Sequence, residues 1–182
     1  MNNSKAQIRK TILTQRKNLD PKKVTAFSKQ ILKRLQALPE FKKAKTILLY
    51  NPMDNEPDTT PLFKQTTTKA RESQLLLRDN TPKATTTILL PEGYHVPTPS
   101  PTAPQPLYDL VITPGIAFDI QGNRIGYGKG YFDRLFENLS TDCIKIALAY
   151  DFQIIENVPA EEHDKKVDLI LTEQRMIIPS RL

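Results

Sequence analysis

Cysteine is almost absent from this 182-residue sequence, and long apolar runs are missing. The single cysteine, Cys143, excludes an internal disulfide and a zinc site built from several cysteines. The longest unbroken apolar run covers five residues, from Ile146 to Tyr150, whereas a membrane-spanning helix needs about 20. The first residues are polar and lack the apolar core of a signal peptide. We therefore expect a cytoplasmic protein without a membrane partner.

Acidic residues are scarce at the start of the chain. Residues 1–45 carry 13 Lys and Arg against two acids, a net charge of +11, whereas the other residues have a net charge of −5. A basic block of this size attracts polyanions such as nucleotides, polyglutamates or nucleic acids. Solvated lysines on amphipathic helices are the simpler explanation for most of these charges.

Apolar spacing and capping residues predict the helices. Ser4 predicts the start of a first helix, and Asp20-Pro21 predicts a second, which ends before Pro39. Thr60-Pro61 repeats the cap-plus-proline signal, and residues 129–139 are predicted to form a further helix. Strands are predicted at Thr46–Tyr50, Leu75–Leu77, Thr87–Leu90, Leu110–Ile112, Ile144–Ala149 and Leu169–Leu171.

This alternation of short apolar strands and helices predicts an α/β fold. We expect a single-domain layered fold over residues 1–182, with a mostly parallel sheet flanked by helices. Seven of the fifteen prolines lie between Pro82 and Pro106, which predicts a proline-rich surface loop at about residues 91–106. Ligands bind at the carboxyl ends of parallel strands, so the loops after Tyr50, Ile112 and Ala149 are the first places to look for a site.

Glycine is concentrated in one segment, with five of the six residues between Gly115 and Gly130. Residues 114–134 read PGIAFDIQGNRIGYGKGYFDR. Alternating glycines let backbone N–H groups turn toward a bound anion, and Arg124 and Lys129 supply positive charge for phosphate oxygens. The spacing matches neither the Walker loop nor the dinucleotide fingerprint. These residues alone indicate either a phosphate-binding loop or a glycine-rich turn between strand and helix.

The whole string closely resembles the signature of the 5-formyltetrahydrofolate cyclo-ligases, also called methenyltetrahydrofolate synthetases. Three other segments are similar to motifs of this family in the same order. They are KAQIR at residues 5–9, YNP with EPDT at residues 50–59, and HD with VD at residues 163–168. The resemblance extends over nearly the whole chain.

The resemblance implies an ATP- and Mg²⁺-dependent ligase that closes 5-formyltetrahydrofolate into 5,10-methenyltetrahydrofolate. ADP and phosphate are released, and a phosphorylated formyl group is the implied intermediate. Lys129 and Arg124 are implied as catalytic cations. ATP binding is implied for Lys5, Arg9, Arg124, Gly126, Gly128, Lys129, Gly130, Tyr131 and Phe132. Folate binding is implied for Arg9, Asn51, Glu56, Tyr127 and Tyr131, and magnesium binding for Asp133 and Asp164.

Several of these residues have a second interpretation. Lys5 and Arg9 are also explained as surface cations of a helix, and Glu56 as a turn residue. Asp133 is also explained as a helix cap or as a partner of Arg134. Asp164 is also explained as a solvated loop acid, with Asp168 binding the metal instead.

The sequence departs from the family pattern mainly on the folate side. Asn51 stands where an apolar residue is usual, and Phe132 replaces the second tyrosine of a Tyr-Tyr-Asp motif. A Gly-Ile-x-Glu-Pro segment of the family has no match at residues 94–99. We expect a monomer that acts on small molecules, without a nucleic-acid partner. The alternatives are a nucleotide-binding relative without catalysis and a basic nucleic-acid-binding protein.

Overall fold

The structure is a computed structural model that describes residues 4–62, 72–76, 108–128, 130–161 and 164–180, with only the backbone described for residues 72–76. Within these ranges the helices are α1 (Lys5–Lys17), α2 (Pro21–Ala37), α3 (Pro39–Lys43) and α4 (Tyr131–Glu137). The strands are β1 (Thr46–Tyr50), β2 (Glu72–Leu76), β3 (Leu110–Thr113), β4 (Ala117–Phe118), β5 (Arg124–Ile125), β6 (Ile144–Leu148), β7 (Leu169–Leu171) and β8 (Met176–Ile177). Asp151–Gln153 form a 3-10 turn.

The main sheet has the strand order β2-β1-β3-β6-β7-β8 in the described part of the chain. Its neighbouring strands pair in parallel from β2 to β7. Only the pairing of β7 with β8 is antiparallel. The predicted α/β fold with a mostly parallel sheet is therefore confirmed. Because parallel strands share one direction, the loops after β1, β3 and β6 leave the sheet at the same edge.

Alternate residues of each central strand face opposite layers of helix. In β3, Leu110 and Ile112 pack in one cluster with Ile31 and Leu35 of α2. Val111, between them, packs in a second cluster with Phe136 of α4. Both faces of the sheet are thus covered, which explains why its central strands read as continuous apolar runs.

The predicted starts of α1 and α2 are confirmed, and each has a clear chemical cause. The Ser4 side chain accepts a hydrogen bond from Gln7 N, and the Gln7 side chain accepts one from Ser4 N, which completes a capping box. Asp20 accepts from Lys22 N at 2.7 Å, and Pro21 fills the first helical position. Pro39 follows the end of α2, as predicted, and it also starts α3, which the apolar spacing does not predict.

Several predicted boundaries are wrong by a few residues. β2 begins at Glu72 rather than Leu75, because its backbone pairs with β1 from Thr46 onward and backbone hydrogen bonds do not require apolar side chains. β6 ends at Leu148, and the apolar run outlasts it because Ala149 and Tyr150 are buried in the following loop. α4 is shorter than predicted, since Gly130, with φ of 61°, is its cap.

Some predictions lie outside the described residues, namely the strand at Thr87–Leu90, the proline-rich loop and Lys129. Of the helix predicted at Thr60, residues 60–62 are helical and the remainder is not described. In the part of the chain that is described, no helix is long and apolar enough to cross a membrane.

A small antiparallel hairpin interrupts the predicted glycine loop. β4 and β5 pair with Phe118 opposite Arg124. Ile8 and Ile12 of α1 pack against Ala117 and Ile125 of this hairpin in a third apolar cluster. This contact places the first helix beside the glycine-rich segment.

Candidate active site

Side-chain hydrogen bonds join three loops at the carboxyl edge of the sheet. The guanidinium of Arg16 donates from Nε to Asp54 O at 2.9 Å, in the loop after β1. It also donates from Nη1 to Gly115 O at 3.2 Å, in the loop after β3. Gln153, which follows β6, donates from Nε2 to Gly115 O and to Ile116 O, both at 2.9 Å. The three loops and α1 therefore form one connected site.

Glu56 and Tyr127 meet in the interior of this site. The Tyr127 hydroxyl donates to Glu56 Oε1 at 3.0 Å. Glu56 Oε2 accepts from Met53 N at 3.1 Å, and Arg16 Nη1 lies 3.8 Å from Glu56 Oε1. Burial and the charge of Glu56 raise the pKa of Tyr127, and the nearby Arg16 only partly offsets them. The Tyr127 hydroxyl therefore keeps its proton and remains a donor.

Lys5 and Arg9 project from the same face of α1, four residues apart. Lys5 Nζ lies 2.8 Å from Glu161 Oε1 and 2.7 Å from Asp164 Oδ2. Arg9 Nε donates to Gly126 O at 2.8 Å. Arg9 thus contacts the glycine loop, and Lys5 contacts the segment before β7. Neither is simply a solvated cation on the helix surface.

At two positions of the loop, the structure explains why the residue is glycine. A Cβ atom at Gly126 would lie 2.7 Å from Arg124 Nη1, so a side chain there would displace the arginine. Gly128 has φ of 93°, a conformation that residues with side chains rarely adopt. The loop backbone therefore passes close to two arginines, since the guanidinium carbon of Arg9 is 3.7 Å from a Cβ built at Gly128.

Arg124 is buried beneath the loop. Its side chain is 3% exposed, and its guanidinium carbon lies 5.5 Å from the Phe132 ring centroid and 5.7 Å from that of Phe136. Nη2 contacts Asp133 Oδ1 at 2.8 Å. Phe132 is itself a core residue with 4% exposure. The replacement of the family's second tyrosine by Phe132 therefore removes a hydroxyl from a core position beneath Arg124.

The two candidate metal-binding aspartates near the chain end occupy different parts of the fold. Asp168 precedes β7 and contacts Lys145 Nζ at 2.8 Å, at the amino ends of the strands. Asp164 contacts Lys5 and accepts from Glu161 N at 2.8 Å, and its side chain is 16% exposed. Asp164 is therefore tied to α1, whereas Asp168 lies at the opposite edge of the sheet.

The described residues contain no group of three or more His, Cys, Asp or Glu side chains arranged to hold a metal ion. Asp133, with 24% exposure, and Asp164 are each paired with a cation. Mg²⁺ commonly binds through one or two carboxylates together with the phosphates of a substrate. Asp133 and Asp164 fit that mode of binding, and they do not form a metal site of protein ligands alone.

The remaining predicted residues have simpler surroundings. Asn51 is exposed just after β1. Tyr131 is half-buried, its ring packs edge-on against Phe132 with 5.6 Å between centroids, and burial raises the pKa of its hydroxyl. Lys129, between Gly128 and Gly130, lies outside the described residues.

Sequence reasoning missed Arg16 and Gln153, which are both fully buried. The signal for Arg16 is its spacing, because it follows Ile8 and Ile12 at four-residue intervals on the inner face of α1. A cation at a core position of an amphipathic helix indicates a buried partner. Gln153 has no comparable signal, since its role depends on which carbonyls the fold brings beside it.

The chain is similar to known proteins in both sequence and fold. The sequence profile of the 5-formyltetrahydrofolate cyclo-ligase family matches residues 1–173. The 5-formyltetrahydrofolate cyclo-ligase of Escherichia coli strain K12 is 27% identical over 178 residues, which cover 91% of this chain and 98% of that protein. The mouse protein of the same name is 44% identical over 69 residues, 36% of this chain and 34% of the mouse protein. The NMR structure of Aquifex aeolicus 5,10-methenyltetrahydrofolate synthetase superposes with a TM-score of 0.75 at 31% identity, covering 98% of this chain and 94% of that one.

Proposed function

The chain belongs to the 5-formyltetrahydrofolate cyclo-ligase family, and we propose that it binds ATP along the glycine loop and 5-formyltetrahydrofolate beside Glu56. The reaction of the family converts 5-formyltetrahydrofolate into 5,10-methenyltetrahydrofolate with ATP. This chain is accordingly an ATP-dependent cyclo-ligase that acts on small molecules.

The observation that carries the proposal is the position of the glycine loop between two sets of partners. Gly126 accepts a hydrogen bond from Arg9 at 2.8 Å, and the next residue, Tyr127, donates to Glu56 at 3.0 Å. One turn of chain therefore touches both a predicted ATP-binding cation and the predicted folate-binding acid. This adjacency suits a reaction in which the γ-phosphate of ATP must meet the formyl group of the folate.

In the proposed reaction, the formyl oxygen attacks the γ-phosphate and ADP leaves. The N10 atom then attacks the activated carbon, the N10 proton is lost, and phosphate leaves as the ring closes. Phosphoryl transfer of this kind depends on alignment and on charge neutralisation more than on a protein nucleophile. The only cysteine, Cys143, suits no nucleophilic role, since burial raises the pKa of its thiol to about 11.

The positive charges of the proposed ATP site come from α1 and the glycine loop. Lys5 and Arg9 supply two of them, and the loop motif suggests Lys129 for the cation nearest the transferred phosphate. Arg124 is proposed to act mainly through Asp133, because its guanidinium is buried and bonded to that carboxylate. Asp133 and Asp164 would hold Mg²⁺ together with the phosphates of ATP. The metal ion, when bound, neutralises phosphate charge.

The proposed folate site lies on the Glu56 side of the loop. Glu56 supplies negative charge near the reacting end of the substrate. Because the Tyr127 hydroxyl donates its hydrogen bond to Glu56, we propose that the ring face of Tyr127, and not its hydroxyl, contacts the substrate. Asn51, at the exposed end of β1, would line the outer rim.

The test follows the absorbance of the methenyl product with purified protein, 5-formyltetrahydrofolate, Mg²⁺ and ATP, with each component omitted in turn. Turnover should need every component. Lys129→Ala should lower turnover by about 10²- to 10³-fold, as expected for a cation beside a transferring phosphoryl group. Lys33→Ala, which removes an exposed charge from α2, should leave turnover within about twofold.

Two outcomes would contradict the proposal. Tight ATP binding without folate-dependent turnover would support the alternative of a nucleotide-binding relative without catalysis. Salt-sensitive binding of random oligonucleotides that Lys129→Ala leaves unchanged would support nucleic-acid binding by residues 1–45.

A further inference from the structure

Arg16 is a fully buried cation in the inner face of α1. A buried charge is tolerated only when partners replace the lost water. Among the residues that the structure describes, the Arg16 side chain has four such partners. They are Asp54 O, Gly115 O, the Tyr127 hydroxyl and the Glu56 carboxylate. Each partner belongs to a loop at the carboxyl edge of the sheet, so this one side chain contacts both Glu56 and Tyr127 of the proposed folate side.

Two hydrogen bonds link Arg16 to Glu56 through the Tyr127 hydroxyl, and their direction is fixed. A guanidinium only donates, and an ionised carboxylate only accepts. The Tyr127 hydroxyl therefore accepts a hydrogen bond from Arg16 Nη2 and donates one to Glu56 Oε1. The orientation of Tyr127 is thus set by the cation on one side and the carboxylate on the other.

A second, independent observation concerns the backbone just before Glu56. Asp54 and Asn55 have φ of 48° and 58°, in the left-handed region that residues with side chains rarely occupy. Arg16 holds both residues of this turn. Its Nε donates to Asp54 O at 2.9 Å, and its backbone O accepts from Asn55 Nδ2 at 3.2 Å. Uncommon backbone conformations of this kind persist where the surrounding structure holds them, often at functional sites.

We propose that Arg16 is a positioning residue for the folate substrate, which acts by holding Glu56 and Tyr127 in their binding geometry. The inference rests on the proposed folate role of Glu56. It adds a residue that does not itself touch the substrate, and it extends the folate role of the first helix beyond Arg9. Lys5 belongs to the ATP side, Arg9 is implied for both substrates, and Arg16, two turns later, belongs to the folate side.

The test compares Arg16→Met, which removes the cation, with Arg16→Lys, which keeps a charge but loses the fork of donors. Arg16→Met should raise KM for 5-formyltetrahydrofolate by about 10- to 100-fold and leave KM for ATP within about twofold. Arg16→Lys should have a smaller effect in the same direction. Leu35→Ala is the matched control, because it removes a buried side chain from the α2 cluster, which does not include Glu56, Gly115 or Tyr127.

A double-mutant cycle decides whether Arg16 acts through Glu56. In a Glu56→Gln background, Arg16→Met should change KM for the folate by no more than about twofold. Additive effects of the two substitutions would overturn the proposal. The proposal would also be overturned if Arg16→Met, like Leu35→Ala, only lowered stability. In that case KM for the folate would be unchanged under conditions in which the variant is folded.

Hydrogen exchange of the substrate-free protein tests the positioning role of Arg16 independently of the proposed function. The amide of Met53 donates to Glu56 Oε2, and the amide of Glu56 donates to Met53 O at 2.9 Å. Arg16→Met should speed exchange at both amides by about tenfold or more relative to Leu35→Ala. If the wild-type protein does not turn over 5-formyltetrahydrofolate, the proposed function fails. Unchanged exchange at these amides would overturn the role of Arg16 even if the wild type is active.

Discussion

Lys5 and Asp164 form an ion pair with 2.7 Å between Nζ and Oδ2, although they are 159 residues apart in the chain. Burial lowers the pKa of Lys5, but its hydrogen bonds to Asp164 and Glu161 and their negative charges outweigh burial and raise it overall. Lys5 therefore stays charged. The pair joins the first turn of α1 to the segment that precedes β7.

Substitution of Asp164 and Asp168, which are close in sequence but not in the fold, should separate the proposed metal ligand from a structural acid. Asp164→Asn should raise the Mg²⁺ concentration for half-maximal turnover by about tenfold or more, because a carboxylate ligand is lost. Asp168→Asn, which removes the partner of Lys145, should leave this concentration within about twofold. The measurement is turnover titrated with Mg²⁺ at saturating ATP. The opposite ranking of the two variants would assign the metal to Asp168.

Tyr127→Phe tests the hydrogen bond that joins the glycine loop to Glu56. Loss of a donor to a buried carboxylate should raise KM for 5-formyltetrahydrofolate by about tenfold, with a smaller change in kcat. Because the pKa of Tyr127 is raised above its ordinary value of 10.0, the wild-type bond should persist until the pH exceeds 10.0. KM profiles against pH for both proteins provide the measurement. An equal KM in the two proteins would mean that the bond has no part in binding.

Gly126→Ala tests the close approach of the loop to Arg124. The added Cβ would lie 2.7 Å from Nη1, and Arg124 cannot easily move because it is buried and bonded to Asp133. The free energy of unfolding should fall by about 1–3 kcal/mol, as for overpacking elsewhere. Urea denaturation measures the change. In an Arg124→Ala background the same substitution should have little further effect, and a full additive loss there would disprove the clash.

Asp109 should make stability depend on pH in the acid range. Hydrogen bonds from the Thr46 and Lys45 amides, at 2.8 and 2.6 Å, lower the pKa of its carboxyl below the ordinary value of 3.8. A lowered pKa means that the folded state favours the ionised form, so the stabilisation is complete above 3.8 and is lost as pH falls through the folded-state pKa. Asp109→Ala should therefore reduce the free energy of unfolding by about 1 kcal/mol at neutral pH, a modest value because the carboxylate is exposed.

Urea denaturation of the wild type and Asp109→Ala across the acid range measures this dependence. The difference between the two proteins should shrink as the carboxyl of the wild type becomes protonated. A difference that stays constant with pH would show that the carboxylate charge does not contribute.

Much of the fold was predictable because its signals are local. Ser4 and Asp20 cap helices with neighbours two or three residues away, and the apolar run at Thr46–Tyr50 matches the strand bounds. The hairpin of β4 and β5 was not predictable from the glycine pattern, because each of its strands has only two residues. Such strands exist because their partners and α1 cover them.

The sequence motifs predict several residues of the candidate site but not the contacts between them. The motifs select Glu56, Tyr127, Lys5 and Asp164, but nothing local indicates that Tyr127 donates to Glu56 or that Lys5 pairs with Asp164. The burial of Arg124 against the rings of Phe132 and Phe136 was likewise not predictable, since the glycine-rich motif around it is typical of an exposed loop.

The α/β class, the family and the motif residues of the candidate site follow from local features, because spacing, capping and motif strings are properties of neighbours in the chain. Which charges meet depends on the folded chain. Arg16 reads as one more cation of a basic helix until the fold removes it from water, and burial then requires the partners that Asp54, Gly115, Tyr127 and Glu56 provide. Desolvation depends on segments far apart in the chain, which is why only the folded molecule shows it.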